Sequence, residues 1–269
     1  MTTGGNPGLP QAEHLPELDV PPPGRQRRWT VLLRFLLLLP QFVVTALLGL
    51  AAFFVTVVAW FAALFTGRLP AGLADFLSGY LAYDTRVAAS AMLLVDRYPP
   101  FSFDPQGHPV RIELRPGVLN RLAVLFRFVL MIPAAIVTVV LQYGLGAVCW
   151  VFWLITLVLG RMPGPVFGAV AAVLRYRMRY QAYAMMLTSA YPKRLFGDGR
   201  PADPAAAPAP LPGGASGTRP LLLGTPARAW IVLILVLGVL GGGASQTVQV
   251  RRQDVDTVDA AATVAIRTR

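Results

Sequence analysis

Between Phe35 and Thr66 the chain carries no charged residue: F-L-L-L-L-P-Q-F-V-V-T-A-L-L-G-L-A-A-F-F-V-T-V-V-A-W-F-A-A-L-F-T. A helix needs about 20 apolar residues to cross a bilayer, and this run is longer. A helix that is apolar on every face cannot be hidden by a globular core of ordinary depth. Hydrocarbon is the solvent that fits it, and a helix tolerates hydrocarbon because its backbone groups pair internally. The stretch predicts an integral membrane protein of the all-α class.

The run is not unique. Sliding the chain against itself by 93 residues places Arg34-Phe35 on Arg127-Phe128, Pro40 on Pro133 and Trp60 on Trp153. Gly67-Arg68 and Pro70 fall on Gly160-Arg161 and Pro163, and Tyr83, Arg86 and Met92 fall on Tyr176, Arg179 and Met185. Tyr98-Pro99 meets Tyr191-Pro192. Apolar composition alone would not keep the Pro, Trp, Arg and Gly marks in register without a gap. Two tandem copies of one membrane unit are expected: a long Pro-kinked helix, a G-R-x-P turn and an amphipathic helix.

R-F-x-L-x-x-x-P, W-F late in the apolar run, G-R-L-P and V-D-R-Y-P-P-F-S-F resemble a bacterial membrane family known only as domain of unknown function 4389. The first copy fits the pattern well. The second keeps the turn as Arg161-Met162-Pro163-Gly164 but replaces Y-P-P-F by Tyr191-Pro192-Lys193-Arg194. The resemblance implies a membrane-embedded fold and supplies no catalytic residue.

In order, residues 1–24 are polar, Pro-rich and aperiodic, and read as a disordered tail. Repeat 1 takes 25–103, with a helix over 28–39, a break at Pro40 and the main span over 41–66. Gly67, Arg68 and Pro70 are its stop signals. A connector, 104–116, lies within a Pro/Gly-rich loop that starts near residue 97 and includes His108. Repeat 2 takes 117–196, its span over 134–159 interrupted by Gln142, Gly144, Gly146 and Cys149, residues suited to close helix packing. The partner stretches 73–95 and 166–189 are expected to be amphipathic helices in the headgroup layer or packed on the bundle, since Arg175, Arg177 and Arg179 do not suit a lipid-facing span. A Pro/Ala/Gly linker follows over 197–227, then a C-terminal transmembrane helix over 228–245 and a tail over 246–269.

A formal charge of +11 could suggest nucleic acid. The arginines, however, flank apolar segments and do not share a face with interleaved aromatics. Anionic lipid headgroups are the expected partner, with a protein partner in the membrane also open and nucleic acid not. Arg34, Arg127, Arg68, Arg161, Arg86 and Arg179 are the candidate headgroup or anion contacts, with Trp60 in an interfacial belt. Gln142 is the candidate polar residue at membrane depth. Snorkelling to phosphate is the first reading for Arg34 and Arg127, an anion site within a bundle the second.

Two similar copies cross equally often, which puts the N-terminus and the 197–227 linker on one side. Arginine density makes that side the cytoplasm of a multi-pass cell-membrane protein, with the last tail outside. No phosphate-cradling loop, HExxH, CxxC or nucleophile–base set is present, so no cofactor, metal or catalytic residue is expected. A non-catalytic scaffold or accessory protein leads. A small transporter built on tandem repeats is the alternative, and a lipid-modifying enzyme comes third. Convergence of Tyr83, Asp84 and Arg86 in one cleft would favour the enzyme, and a wet cavity between the copies the transporter.

Overall fold

The computed structural model describes residues 15–104, 107–114, 121–198 and 216–242. A short strand β1 (Glu17–Asp19) precedes α1 (Arg28–Leu32), α2 (Arg34–Thr66) and α3 (Ala71–Ala91). Strand β2 (Arg111–Glu113) then precedes α4 (Arg121–Leu125), α5 (Arg127–Leu159) and α6 (Gly164–Ala184). A last helix, α7, spans Thr225–Gly242. The chain is mostly helical, and α2, α5 and α7 are each long and apolar enough to cross a membrane. The 93-residue offset found in the sequence carries α1, α2 and α3 onto α4, α5 and α6 residue for residue.

Matched residues shape matched joints. Gly67 and Gly160 end the long helices in the left-handed region, at φ 70° and 66°, where a side chain would be strained. Pro70 and Pro163, with φ near −56° and −59°, then open α3 and α6. Both shorter helices end on a left-handed residue that is not glycine, Leu93 and Met186. The amides of Leu94 and Leu187 reach back to the carbonyls of Ala89 and Ala182, a Schellman closure.

Three expectations need correction. The long helices do not break at Pro40 and Pro133, which lie inside continuous 33-residue helices. The break comes earlier, at Leu33 and Phe126, both near φ −90° with ψ close to zero. Each proline ring opposes only the carbonyl four residues before it, that of Leu36 or Val129, inside the continuous helix, so the ring does not reach the break. Secondly, the proposed disordered tail holds β1, with Leu18, Asp19 and Val20 fully buried. Thirdly, the connector loop contains β2, antiparallel to β1 with Leu18 opposite Ile112. Part of the linker, from Ser216 on, also packs: Thr218 Oγ1 accepts the Val20 amide at 2.9 Å. The tail 246–269 lies outside the described residues.

The halves embrace reciprocally. Beside the break at Leu33, the Val31 carbonyl accepts a cap backbone N–H and also the indole N–H of Trp153, at 2.8 Å. Its counterpart, the Val124 carbonyl, accepts from Trp60 at 3.0 Å. Trp60, expected in an interfacial belt, instead clamps one repeat to the other, and Trp153 does the same in return. When residue i of one copy meets j of the other and j meets i, the relation is a twofold rotation. The strand register obeys it too. Asp19 pairs with Arg111 and Leu18 with Ile112, and adding 93 to one member while subtracting it from the other interchanges these two pairs. The pseudo-twofold axis passes through the sheet.

Candidate functional site

Four of the six candidate arginines turn inward. Arg34 is 3% exposed and donates to Ser90 Oγ (3.0 Å), the Val95 carbonyl (2.9 Å), Gln26 Oε1 (3.0 Å) and Asp96 Oδ1 (3.0 Å). It ties the start of α2 to the end of α3 and does not snorkel. Arg127, its counterpart, is equally buried but meets no carboxylate among the described residues. It donates to the Met186 sulfur at 2.9 Å and to the Thr188 carbonyl, with Tyr183 stacked 4.0 Å from its guanidinium carbon. Positions matching Gln26 and Asp96 are Leu119 and Ser189, so the anionic partner was replaced by an aromatic face.

Arg86 and Arg179 hold coil against the helices. Arg86 donates to the carbonyls of Ser102 (2.5 Å) and Phe103 (3.2 Å), and Arg179 to those of Pro16 (2.9 Å) and Lys193 (3.0 Å). Burial pulls both guanidinium pKa values down to about 10. Arg68 and Arg161, at the ends of α2 and α5, are exposed and free to meet a headgroup. Gln142 is also exposed, at the rim of a cleft described below.

Asp84 and Arg177 occupy the same position in the two copies and meet across the axis. The guanidinium donates to both carboxylate oxygens, at 2.9 and 3.1 Å, and Gln181 adds a third bond at 3.0 Å. An axis position faces its own counterpart, so two aspartates here would repel. Arg177→Asp is expected to cost about 3 kcal/mol of stability, since it leaves a buried charge opposed by its like. The swap Asp84→Arg with Arg177→Asp should regain most of that, read as a coupling term in a double-mutant cycle of thermal unfolding in detergent.

Tyr83, Asp84 and Arg86 do not converge. The Tyr83 hydroxyl goes to Gln41 Oε1, whose amide in turn donates to the Pro99 carbonyl at 2.6 Å. Asp84 faces Arg177, and Arg86 faces the connector. Among the described residues no group of three His, Cys, Asp or Glu side chains is placed to hold a metal ion.

A polar cap covers α3 and α6. Directly opposed Glu17 and Glu113 on the sheet would repel. Arg219 bridges them, at 2.6 Å from Glu113. Asp19 is fully buried between Arg111 (2.9 Å) and Ser216 (2.8 Å). Asp198 joins Arg175 at 2.8 Å. Burial alone would raise its carboxyl, but Arg175 and the Leu221 amide outweigh that and hold it below the usual range. His108, expected as an ordinary loop histidine, is buried. Its Nδ1 accepts from the Val110 amide at 3.2 Å, and Nε2 has no partner among the described residues.

Burial first, then the charges of Arg86 and Arg97, push the His108 pKa down to about 4. A base whose folded pKa lies below its unfolded value stabilises the fold only while neutral. Its contribution is complete above about pH 6.5 and disappears as pH falls to 4. Replacing His108 by Asn should flatten the pH dependence of the melting temperature in that window. The loss of Asp198 ionisation, which sets in at lower pH, should stay.

Two clefts flank the axis, and they are twofold mates. One, of about 220 Å³, lies between α5 and repeat 1, lined by Gln142, Gly146, Cys149, Trp153, Phe35 and Leu93. The other, of about 320 Å³, lies between α2 and repeat 2, lined by the counterparts Gly49, Phe53, Thr56, Trp60, Phe128 and Met186. Both are walled mainly by apolar side chains. The sequence pointed to Gln142 but not to these clefts, because each draws its walls from both repeats.

These features define a class: a duplicated helical unit with a charged cap and three helices apolar and long enough for a membrane. The chain belongs to the family described as a domain of unknown function (DUF4389), which matches residues 28–102 and 121–195, more than half of its length. No curated protein and no solved structure matches it.

Proposed function

We propose that this protein is a membrane-resident scaffold or accessory protein that acts through helix packing and contact with anionic lipid. The observation that carries the reading is the partition of its surface. Large apolar side chains such as Leu36, Val43, Leu47, Phe53, Phe61, Ile136, Trp150 and Val239 stand exposed on α2, α5 and α7. On α3 and α6 the charges of Asp84, Arg86, Arg175, Arg177 and Arg179 are engaged with other charges or with backbone carbonyls. Exposed apolar surface on this scale marks a membrane or partner interface. The clefts between the repeats have apolar walls, which supports a structural part over a transport path. Exposed Arg25, Arg27 and Arg28 favour the cytoplasm for the capped side.

The test is purification, reconstitution into vesicles containing phosphatidylglycerol, and measurement of ion and small-solute flux. Retention in the membrane after alkaline carbonate washing, with flux no greater than in protein-free vesicles, is the expected result. Release by the wash would overturn the membrane reading, and saturable flux would replace the scaffold by a transporter.

A further inference from the structure

A half-turn about an axis leaves every residue's level along that axis unchanged. The Gln26 amide donates to the Gly160 carbonyl at 2.8 Å, and the Arg28 guanidinium reaches the Val158 carbonyl at 3.2 Å. Gly160 is the twofold mate of Gly67. It follows that Gly67, just beyond the end of α2, lies on nearly the same level as Gln26 and Arg28 at the start of α1, and Arg34, the first residue of α2, reaches Gln26 Oε1 at 3.0 Å. A 33-residue helix is about 50 Å long. With both ends on one level it lies across the axis, not along it. The same holds for α5. Helix α7 runs antiparallel beside α5, with Trp230 against Phe152 (5.2 Å between ring centres), Ile234 against Gly144, and Gly238 against Val140.

The axis itself has a wet end. It passes between Asp84 and Arg177 and through the β1–β2 sheet, where Glu17, Asp19, Arg111, Glu113 and Arg219 gather. Were α2 and α5 to stand upright in a bilayer, the axis would lie in the membrane plane. This sheet would then sit beside the helices near mid-depth, where charged groups cost several kcal/mol each. Turned through a right angle, the sheet faces water and the long helices lie flat. Exposed arginines agree with the second arrangement. Arg28 and its mate Arg121, with Arg68 and its mate Arg161, mark the ends of the long helices on one level, as a row of cations facing one layer of phosphates would.

We propose that α2, α5 and α7 do not cross the bilayer but lie in the plane of a single leaflet, with the sheet-bearing cap in the water above it. The partner is the hydrocarbon of that leaflet, framed by anionic headgroups at Arg28, Arg68, Arg121 and Arg161. Each long helix, about 50 Å by about 10 Å, adds area to one leaflet only, which is how in-plane helices bend membranes. This inference rests on the membrane reading above and replaces the multi-pass topology expected from helix length.

The full chain carrying Cys149→Ser is given single cysteines at Arg28, Arg68, Arg161, Thr225 or Gly242. Each variant is treated with a membrane-impermeant maleimide in right-side-out and in inverted membrane vesicles. Labelling of all five from one and the same side is the expected result. Labelling of Arg28→Cys and Arg68→Cys from opposite sides would overturn the proposal, as would Thr225→Cys and Gly242→Cys on opposite sides. An Arg68→Cys or Arg161→Cys variant that reacts from neither side would also count against it, since it would place the supposed headgroup row in hydrocarbon. A carbonate wash keeps the two failures apart. A protein that stays in the membrane but labels from both sides defeats only the in-plane arrangement, whereas one that washes off defeats the membrane reading.

Discussion

Replacing Gly144 by leucine is expected to detach α7 from α5. A Cβ on Gly144 would lie 1.7 Å from the Ile234 carbonyl oxygen and 2.6 Å from its carbon. On the facing side, a Cβ on Gly238 would lie 1.9 Å from the Val140 oxygen. These neighbours are backbone atoms and cannot rotate away, so relief requires the helices to part. Close approach through small residues is the main force between helices in lipid, where no hydrophobic effect drives re-docking. Overpacking usually costs 1–3 kcal/mol; with backbone on both sides we expect about 3 kcal/mol or more, and Gly144→Ala should already be harmful. Gly146→Leu is the control, because nothing lies within 4 Å of a Cβ there. The readout is thermal unfolding in detergent, together with protease cleavage within 216–224, the segment that leads into α7 and whose Leu221 and Leu223 share a buried cluster with Ala227 and Ile231 of that helix. Wild-type melting and protection for Gly144→Leu would contradict the packing.

The repeat was legible because it rests on residues with backbone meaning: Gly67 and Gly160 at left-handed turns, Pro70 and Pro163 opening helices, and the matched Arg-Phe pairs. Their offset is a property of the string alone. The small residues at 144 and 238 carried half of a message, since glycine in an apolar run says that something comes close without naming it. What the sequence hid was every contact made across the axis. Trp60 reads as an interfacial residue, and nothing local shows that its N–H goes to a carbonyl in the other copy. Arg34 and Arg127 at the mouth of an apolar helix suggest snorkelling, and only the fold shows the pockets that receive them. The short strands were missed because three residues each, in Pro-rich surroundings, carry no usable periodicity, and each is ordered by the other.

Duplication freed the copies to differ, both inside a repeat and where the repeats meet. Gly49 makes room for the Tyr80 hydroxyl, 2.9 Å from where a Cβ would stand. At the same places repeat 2 has Gln142 and Val173: the larger residue moved to the long helix and the smaller to the short one. Asp84 and Arg177 show the same for charge, a self-facing position turned into an ion pair. The two deeply buried arginines differ in the same sense, which sets up a direct comparison.

Arg34→Met is expected to be far more damaging than Arg127→Met. Removing Arg34 strips the donor from Ser90, Val95, Gln26 and Asp96 together. Asp96 keeps Thr30 Oγ1 at 2.6 Å and is partly exposed, so water can cover it, but the Val95 carbonyl and the Gln26 amide lose a buried partner. Truncating one side of such a network typically costs 3–5 kcal/mol, and we expect about 3 kcal/mol given the hydration open to Asp96. At Arg127 the ledger differs, because the cation has an aromatic ring, a carbonyl and a sulfur but no carboxylate among the described residues. Methionine there keeps much of the volume and a sulfur contact with Tyr183, removes a charge that is costly to bury, and orphans little beyond the Thr188 carbonyl. A loss of about 1 kcal/mol or less is expected. Melting curves of both variants in one detergent decide it. Equal losses would mean that Arg127 has an anionic partner, and a lipid phosphate recovered with the purified protein would be the place to look for it.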